Sequence, residues 1–433
     1  MRVARGRTSA TGFALALLAG AATLAPAQSS VEELAARLES SDARTRRDAA
    51  RALGEDGSTE AVAALLPAAR DADRDVRRAA LEALAAVRRP DAATGLILLL
   101  EDEVPAHRRG AIGGLVDIHR REPPAGRRER AVDWLLRREQ DFALDPLRPV
   151  EPRIADALAA RLDDEDTENR RLAAEALGVL RAATGAAALA RAAAGDPDDD
   201  VRRKAVESLG SIGTEEAGES LLSMVEDSEL QRAVVRALGR MAFPPATLAL
   251  VAVYDGDPDS DLARDALEGL ARIGAPEARG TFYHELSSRD ARRREYAAAG
   301  LGRLDDPTLV DGLIRDFLRE EDARVQLAFC FALVRLGQTP FVDRVVLSLS
   351  DRRLRETARE YGLELASGHL DEFLGYLDDP DREVRLELIT LLERLGDGAA
   401  IPKLEEVGED ADSEVADRAR AAARVLIRRS EAR

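Results

Sequence analysis

The chain has 433 residues, of which 45% are hydrophobic but only 3% aromatic, so a single large globular core would lack bulky side chains to fill it. Alanine and leucine must do the packing, which suits helices stacked at close range. A formal net charge of −18 argues against nucleic acid and against an anionic membrane surface, because both require a basic face.

Residues 1–27 read as a secretory signal peptide. Arg2, Arg5 and Arg7 form a positive start, and Gly12 to Leu24 is an apolar run too short to span a bilayer. Ala25-Pro26-Ala27 then offers a cleavage site that leaves Gln28 as the first mature residue. No later apolar run is long enough to cross a bilayer, so no membrane insertion is expected once the signal is removed. Losing the three arginines takes the net charge from −18 to −21. The expected location is the periplasm or the extracellular space.

From residue 28 onward a pattern recurs: Asp, two variable residues, an apolar residue, Arg, then an Ala-rich stretch ending in Leu-Gly. Asp198 to Gly210 shows it in full, with Val201, Arg202, Ala205 and Leu209. Asp73 to Leu84 and Asp381 to Leu392 repeat it. The register aspartates are Asp42, Asp73, Asp166, Asp198, Asp227, Asp259, Asp290, Asp322, Asp351, Asp381 and Asp412. Successive gaps are 29 to 32 residues, except for 93 residues between Asp73 and Asp166, or three periods of 31. One copy in that gap is visible at Val104 to Leu115, and a second is expected near residue 135 without being recognisable there.

Each unit is too short for a domain, and its pattern is helical: Val201, Ala205 and Leu209 share one face. The aspartate precedes this second helix, B, where it can cap free N–H groups. An earlier helical stretch, A, comes before it, as in Pro307 to Leu318. Gly54, Gly178, Gly210 and Gly239 sit where a helix could end, and Pro276 and Pro307 where the next could begin. Such a hairpin hides its apolar face only by stacking on the next copy.

These residues resemble the short HEAT-like repeat of the phycobilisome-lyase type, over roughly residues 31 to 428. The resemblance implies an all-α fold, an α-solenoid made as a superhelical stack of about 12 antiparallel helix pairs. It also implies a ladder between turn aspartates and helix B arginines: Asp198 with Arg202, Asp73 with Arg77, Asp381 with Arg385. Gln231, Ala263, Gln326 and Ala416 stand where arginine is expected. B helices are expected to line the concave face, with charged Arg78, Glu82, Arg203 and Glu207 in the groove. The resulting organisation is a signal at 1–27, repeats at 28–118, an irregular insertion at 119–152, repeats at 153–428 and a polar tail at 429–433. The insertion holds an amphipathic stretch from Arg127 to Glu139 with Trp134, followed by Pro146, Pro149 and Pro152.

Catalytic chemistry is thinly supplied. Asp196, Asp198, Asp200 and Glu207 imitate a calcium loop, as do Asp257, Asp259, Asp261 and Glu268. Val201 and Leu262 replace the glycine such a loop needs. His284-Glu285 is a single pair, whereas the di-iron HEAT hydroxylases, which the fold brings to mind, use several. Cys330 lies in an apolar run and reads as a buried small residue. No catalytic residue, metal ligand or cofactor is therefore assigned. Twelve of the fifteen aromatic residues fall between Phe243 and Tyr376. Most of them belong in the core, but Tyr283 and Tyr376, with Trp134, are candidates for contact with a partner. The expected function is a non-catalytic scaffold that binds a protein or peptide. The alternatives are an enzyme or enzyme subunit related to HEAT-type lyases or hydroxylases, and a passive element of a larger assembly.

Overall fold

A computed structural model describes residues 30–120 and 150–431. Trp134 and most of the 119–152 stretch lie outside the described residues, as does the signal segment. Among the described residues there are 24 α-helices and no strand. They form twelve A–B hairpins, numbered here 1 to 12, from Val31–Leu38 with Ala43–Asp56 to Ile401–Val407 with Ser413–Glu431. One continuous apolar core runs the length of the stack, from Leu34 to Leu426. Within hairpin 5, Val201, Ala205 and Leu209 are all fully buried. No single hairpin could bury such a face alone, so folding and stacking are the same event.

Helix B begins at a capped turn. The Asp73 carboxylate accepts from the Asp75 and Val76 N–H groups. Asp42, Asp166, Asp198, Asp290, Asp322, Asp381 and Asp412 do the same at their own helices. Three register aspartates differ. Ser260, not Asp259, caps Asp261–Ile273. Asp227 and Asp351 each sit ahead of an extra turn, accepting from Glu229 and Arg353, and the helices start later at Gln231 and Arg355. The one-residue shift at Ser260 puts Arg264, rather than Ala263, at the ladder register.

Apart from Arg264, which lies 3.8 Å from the capping Asp290, the ladder does not use the capping aspartates. Each cap carboxylate is turned toward its own helix, so the arginine reaches onward to the acid two residues ahead of the next cap. Arg46 pairs with Asp71 and Arg77 with Asp102, each at 2.6 Å. Arg170 pairs with Asp196 and Arg294 with Glu320 at 2.8 Å. Arg385 meets Asp410 at 3.3 Å. Where the extra turn displaces the acid, Arg202 takes Asp227 at 2.8 Å together with Glu229. Apart from Arg202, which donates to the Ala193 carbonyl, the same arginines donate backward to the carbonyl of the residue two before their own cap, as Arg77 does to Asp71 and Arg294 to Ser288. Gln326 keeps this second bond, to Glu320.

The second copy expected in the 93-residue gap, near residue 135, lies outside the described residues, and hairpins 3 and 4 on either side of it are direct neighbours. Arg108 of hairpin 3 pairs with Asp164 of hairpin 4 at 2.8 Å. Pro105–Ile118 and Thr167–Val179 pack directly on each other. At the other end, the 429–433 tail is mostly helix: the last helix runs to Glu431, and Arg429 donates to the Glu393 carbonyl at 2.8 Å.

Gly54, Gly178, Gly210 and Gly239 do not terminate their helices. Ala43–Asp56 and Asp199–Ile212 run past them to Gly57 and Gly213, which carry the left-handed backbone. The earlier glycines mark where successive B helices touch. A Cβ on Gly54 would meet the Ala83 Cβ at 2.5 Å, and one on Gly239 would meet the Gly269 Cα at 2.9 Å. The Leu-Gly of the repeat is thus a packing signature, placed where two backbones approach too closely for a side chain.

Candidate partner-binding surface

The B helices lie on the inner side of the bend, most plainly in hairpins 7 to 10. There the last turns of Asp261–Ile273, Ala291–Arg303, Ala323–Arg335 and Arg355–Ala366 converge. Arg272 bonds Glu360 at 3.0 Å across 88 residues of sequence. Arg303 takes Glu364 at 2.8 Å, and Arg335 takes both Glu364 and Asp305 at 2.8 Å. The Arg303 guanidinium lies 4.6 Å from the Phe331 ring centroid, and Phe331 stacks on Tyr361 at 4.2 Å. Alongside, Glu295 is buried, with Arg324 at 3.9 Å and Arg292, Glu268 and Asp322 also acting on its charge. Burial pushes its carboxyl up to about 7. The inner face here is charged, as expected, but the side chains of Arg272, Arg303, Arg335, Glu360 and Glu364 are engaged with one another.

In the first half of the stack the inner charges pair along single helices. Arg78 lies 3.4 Å from Asp75 and 4.0 Å from Glu82, Arg171 bridges Glu168 and Glu175, and Lys204 meets Glu207 at 2.6 Å. The carboxylates that imitate a calcium loop are engaged too: Asp196 with Arg170, Asp198 with its own helix, Asp200 with Arg203. An open notch of about 400 Å³ between hairpins 4 and 5 is lined by Ala188, Ala192 and Gly195, with Asp164, Asp196 and Arg170 of the ladder at its edge.

The outer face differs in kind. Among the described residues, the exposed large hydrophobic side chains are Leu248 (73% exposed), Tyr283 (50%), Leu318 (74%) and Leu347 (46%). They belong to the A helices, or the residue just after, of hairpins 7, 8, 9 and 10 in succession. Tyr283 therefore stands in the open. Tyr376 is half-buried and donates to Asp343, an interaction that helps push its hydroxyl up to about 12 after burial itself. It ties hairpin 11 to hairpin 10. The three leucines escape sequence reasoning because an apolar residue on an amphipathic helix reads as core by default. The inner bridges had a faint signal: Arg272, Arg303 and Arg335 recur at the repeat period in the last turn of helix B.

The remaining candidates resolve into structure. Glu285 is buried, accepting from Tyr254 and from Arg293 at 2.9 Å, while His284 faces solvent. Cys330 is buried, and desolvation pushes its thiol up to about 11.

The family model for HEAT repeats matches residues 31–116 and 155–230. The chain is a HEAT-like repeat protein, folded as an all-α solenoid. Among solved structures it is similar to an engineered protein, at 18% identity over 92% of this chain and 98% of that one, with a TM-score of 0.39. It is also similar to the complex of CpcE and CpcF of phycocyanin lyase from Nostoc sp. PCC7120, at 20% identity over 56% of this chain and 94% of that one, with a TM-score of 0.40. A third is yeast importin-beta (Kap95p), at 12% identity, 93% of this chain, 57% of that chain and a TM-score of 0.47. No curated protein matches the sequence.

Proposed function

We propose that this protein is a non-catalytic scaffold outside the cytoplasm, and that it binds a protein or peptide along the outer helices of hairpins 7 to 10. The observation that carries the reading is the run of Leu248, Tyr283, Leu318 and Leu347 on four consecutive hairpins. Each of these four successive A helices thus offers a large apolar side chain to solvent, and apolar surface gathered in one region of a protein marks interaction sites. Tyr283 is of a residue type enriched at the hot spots of protein contacts. The inner face of the same hairpins is occupied by its own ion pairs, so a partner there would have to displace them. The sequence pattern of an export signal at residues 1–27 supports a partner in the periplasm or beyond.

A photo-crosslinking residue at Leu318 or Tyr283, compared with one at Arg203 on the inner face, tests this in the native cell. The reading expects one discrete adduct from the outer positions and none from Arg203. Equal labelling at all three, or adducts from Arg203 alone, would sink it.

A further inference from the structure

We propose that hairpins 7 to 10 carry an inner ionic clamp that holds their bend, and that releasing it lets this part of the stack open without unfolding. The regular ladder joins each hairpin only to the next, as Arg77 to Asp102 and Arg294 to Glu320 do. The clamp skips hairpins. Arg272 of hairpin 7 reaches Glu360 of hairpin 10 at 3.0 Å, and Arg303 of hairpin 8 reaches Glu364 of hairpin 10 at 2.8 Å. In a straight stack, three steps of helix spacing would set hairpins 7 and 10 roughly 24–30 Å apart. Two side chains cannot span that distance, so these contacts exist only while the hairpins are bent.

The clamp has a firm part and a weak part. Arg303 is largely buried, laid against Phe331 and Tyr361, with its carboxylate partner shared by Arg335. Arg272 and Glu360 are more open, with 32% and 54% of their side chains exposed. Pairs this exposed are weak and screened by salt. The hairpin-to-hairpin core does not depend on them: Leu270, Leu301, Leu333 and Leu365 are buried beneath. Losing the bridges therefore removes what selects the bent form and leaves the stacking that keeps each helix folded. The bend has an outward consequence as well. Drawing the inner ends together spreads the outer helices, so the clamp fixes the spacing of Leu248, Tyr283, Leu318 and Leu347.

The test is the solution shape of the full chain, which does not depend on any partner being found. Small-angle X-ray scattering of E360Q/E364Q is expected to show a radius of gyration roughly 5–10% larger than wild type as the three spacings relax toward straight, with unchanged helical circular dichroism. R272E alone is expected to open the chain partly, and the charge swap R272E/E360R to restore the wild-type dimension. If a variant fails to fold, wild type in about 1 M salt, where the screening length falls to about 3 Å, is expected to open partly, as R272E does, by screening the exposed Arg272–Glu360 pair. Wild-type dimensions in folded E360Q/E364Q, or no rescue by the swap, would overturn the proposal.

Discussion

Arg108 and Asp164 lie 56 residues apart in sequence and are paired at 2.8 Å, so hairpins 3 and 4 are direct neighbours in the stack. The Arg108 side chain is 6% exposed and that of Asp164 1%, which makes this the most enclosed rung of the ladder among those described above. Desolvation alone would raise the Asp164 carboxyl, but hydrogen bonds from Arg108, the Asp166 N–H and Asn169 outweigh it and hold the pKa below the ordinary value.

Arg108→Ala is therefore expected to cost about 3–5 kcal/mol, because it strands a buried carboxylate. Arg203→Ala, at a half-exposed position, is expected to stay within about 0.5 kcal/mol of wild type. Urea unfolding of the two variants checks the contrast. Equal effects would mean that the ladder is decorative at this joint.

Two glycine substitutions are expected to have opposite signs. Gly239→Ala drives a methyl into Gly269 of the next helix and is expected to cost about 1–3 kcal/mol. Gly113 lies on an exposed helix face with nothing within 4 Å of its would-be Cβ. Gly113→Ala is expected to stabilise by about 0.5–1 kcal/mol through helix propensity. Thermal unfolding distinguishes them by the direction of the shift in Tm.

Glu295 makes stability depend on pH in the less common direction. Its carboxyl is pushed by burial from the ordinary glutamate value of 4.5 up to about 7. The folded state thus holds a proton that the unfolded state releases. The stability it contributes is fully present below the unfolded value and is lost as pH rises through about 7, an effect on the order of 3 kcal/mol. Glu295→Gln is expected to flatten the stability profile between pH 4.5 and 7. A profile as steep as wild type's in that window would show that another group is responsible.

Leu318→Asp is expected to leave folding within about 0.5 kcal/mol of wild type, since the side chain is 74% exposed, while abolishing the crosslinked adduct formed from Tyr283. An undiminished adduct would remove the outer stripe from the contact. For the export reading, mass spectrometry of the protein purified from the extracytoplasmic fraction is expected to find Gln28 at the N-terminus. Intact residues 1–27 on protein recovered from the cytoplasm would reverse that part of the proposal.

The repeat length, the helical hairpin and the solenoid were readable from the chain alone, because each rests on local chemistry. An aspartate that caps, a period of 3.6 and an apolar face that needs a neighbour are all written within about thirty residues. The register slipped only where the local signal was ambiguous: Ser260 displaces Asp259, and the turns after Asp227 and Asp351 delay their helices. What the tertiary structure decided was everything that depends on how one hairpin meets others. The rung acceptors, the glycines as contact points and the direct joint from Arg108 to Asp164 are relations between units. So are the bridge from Arg272 to Glu360 and the exposure of Leu248, Leu318 and Leu347. Periodicity says that a residue faces a neighbour or does not. It carries no information on the curvature of the stack, and curvature determines which faces close on themselves and which stay open to a partner.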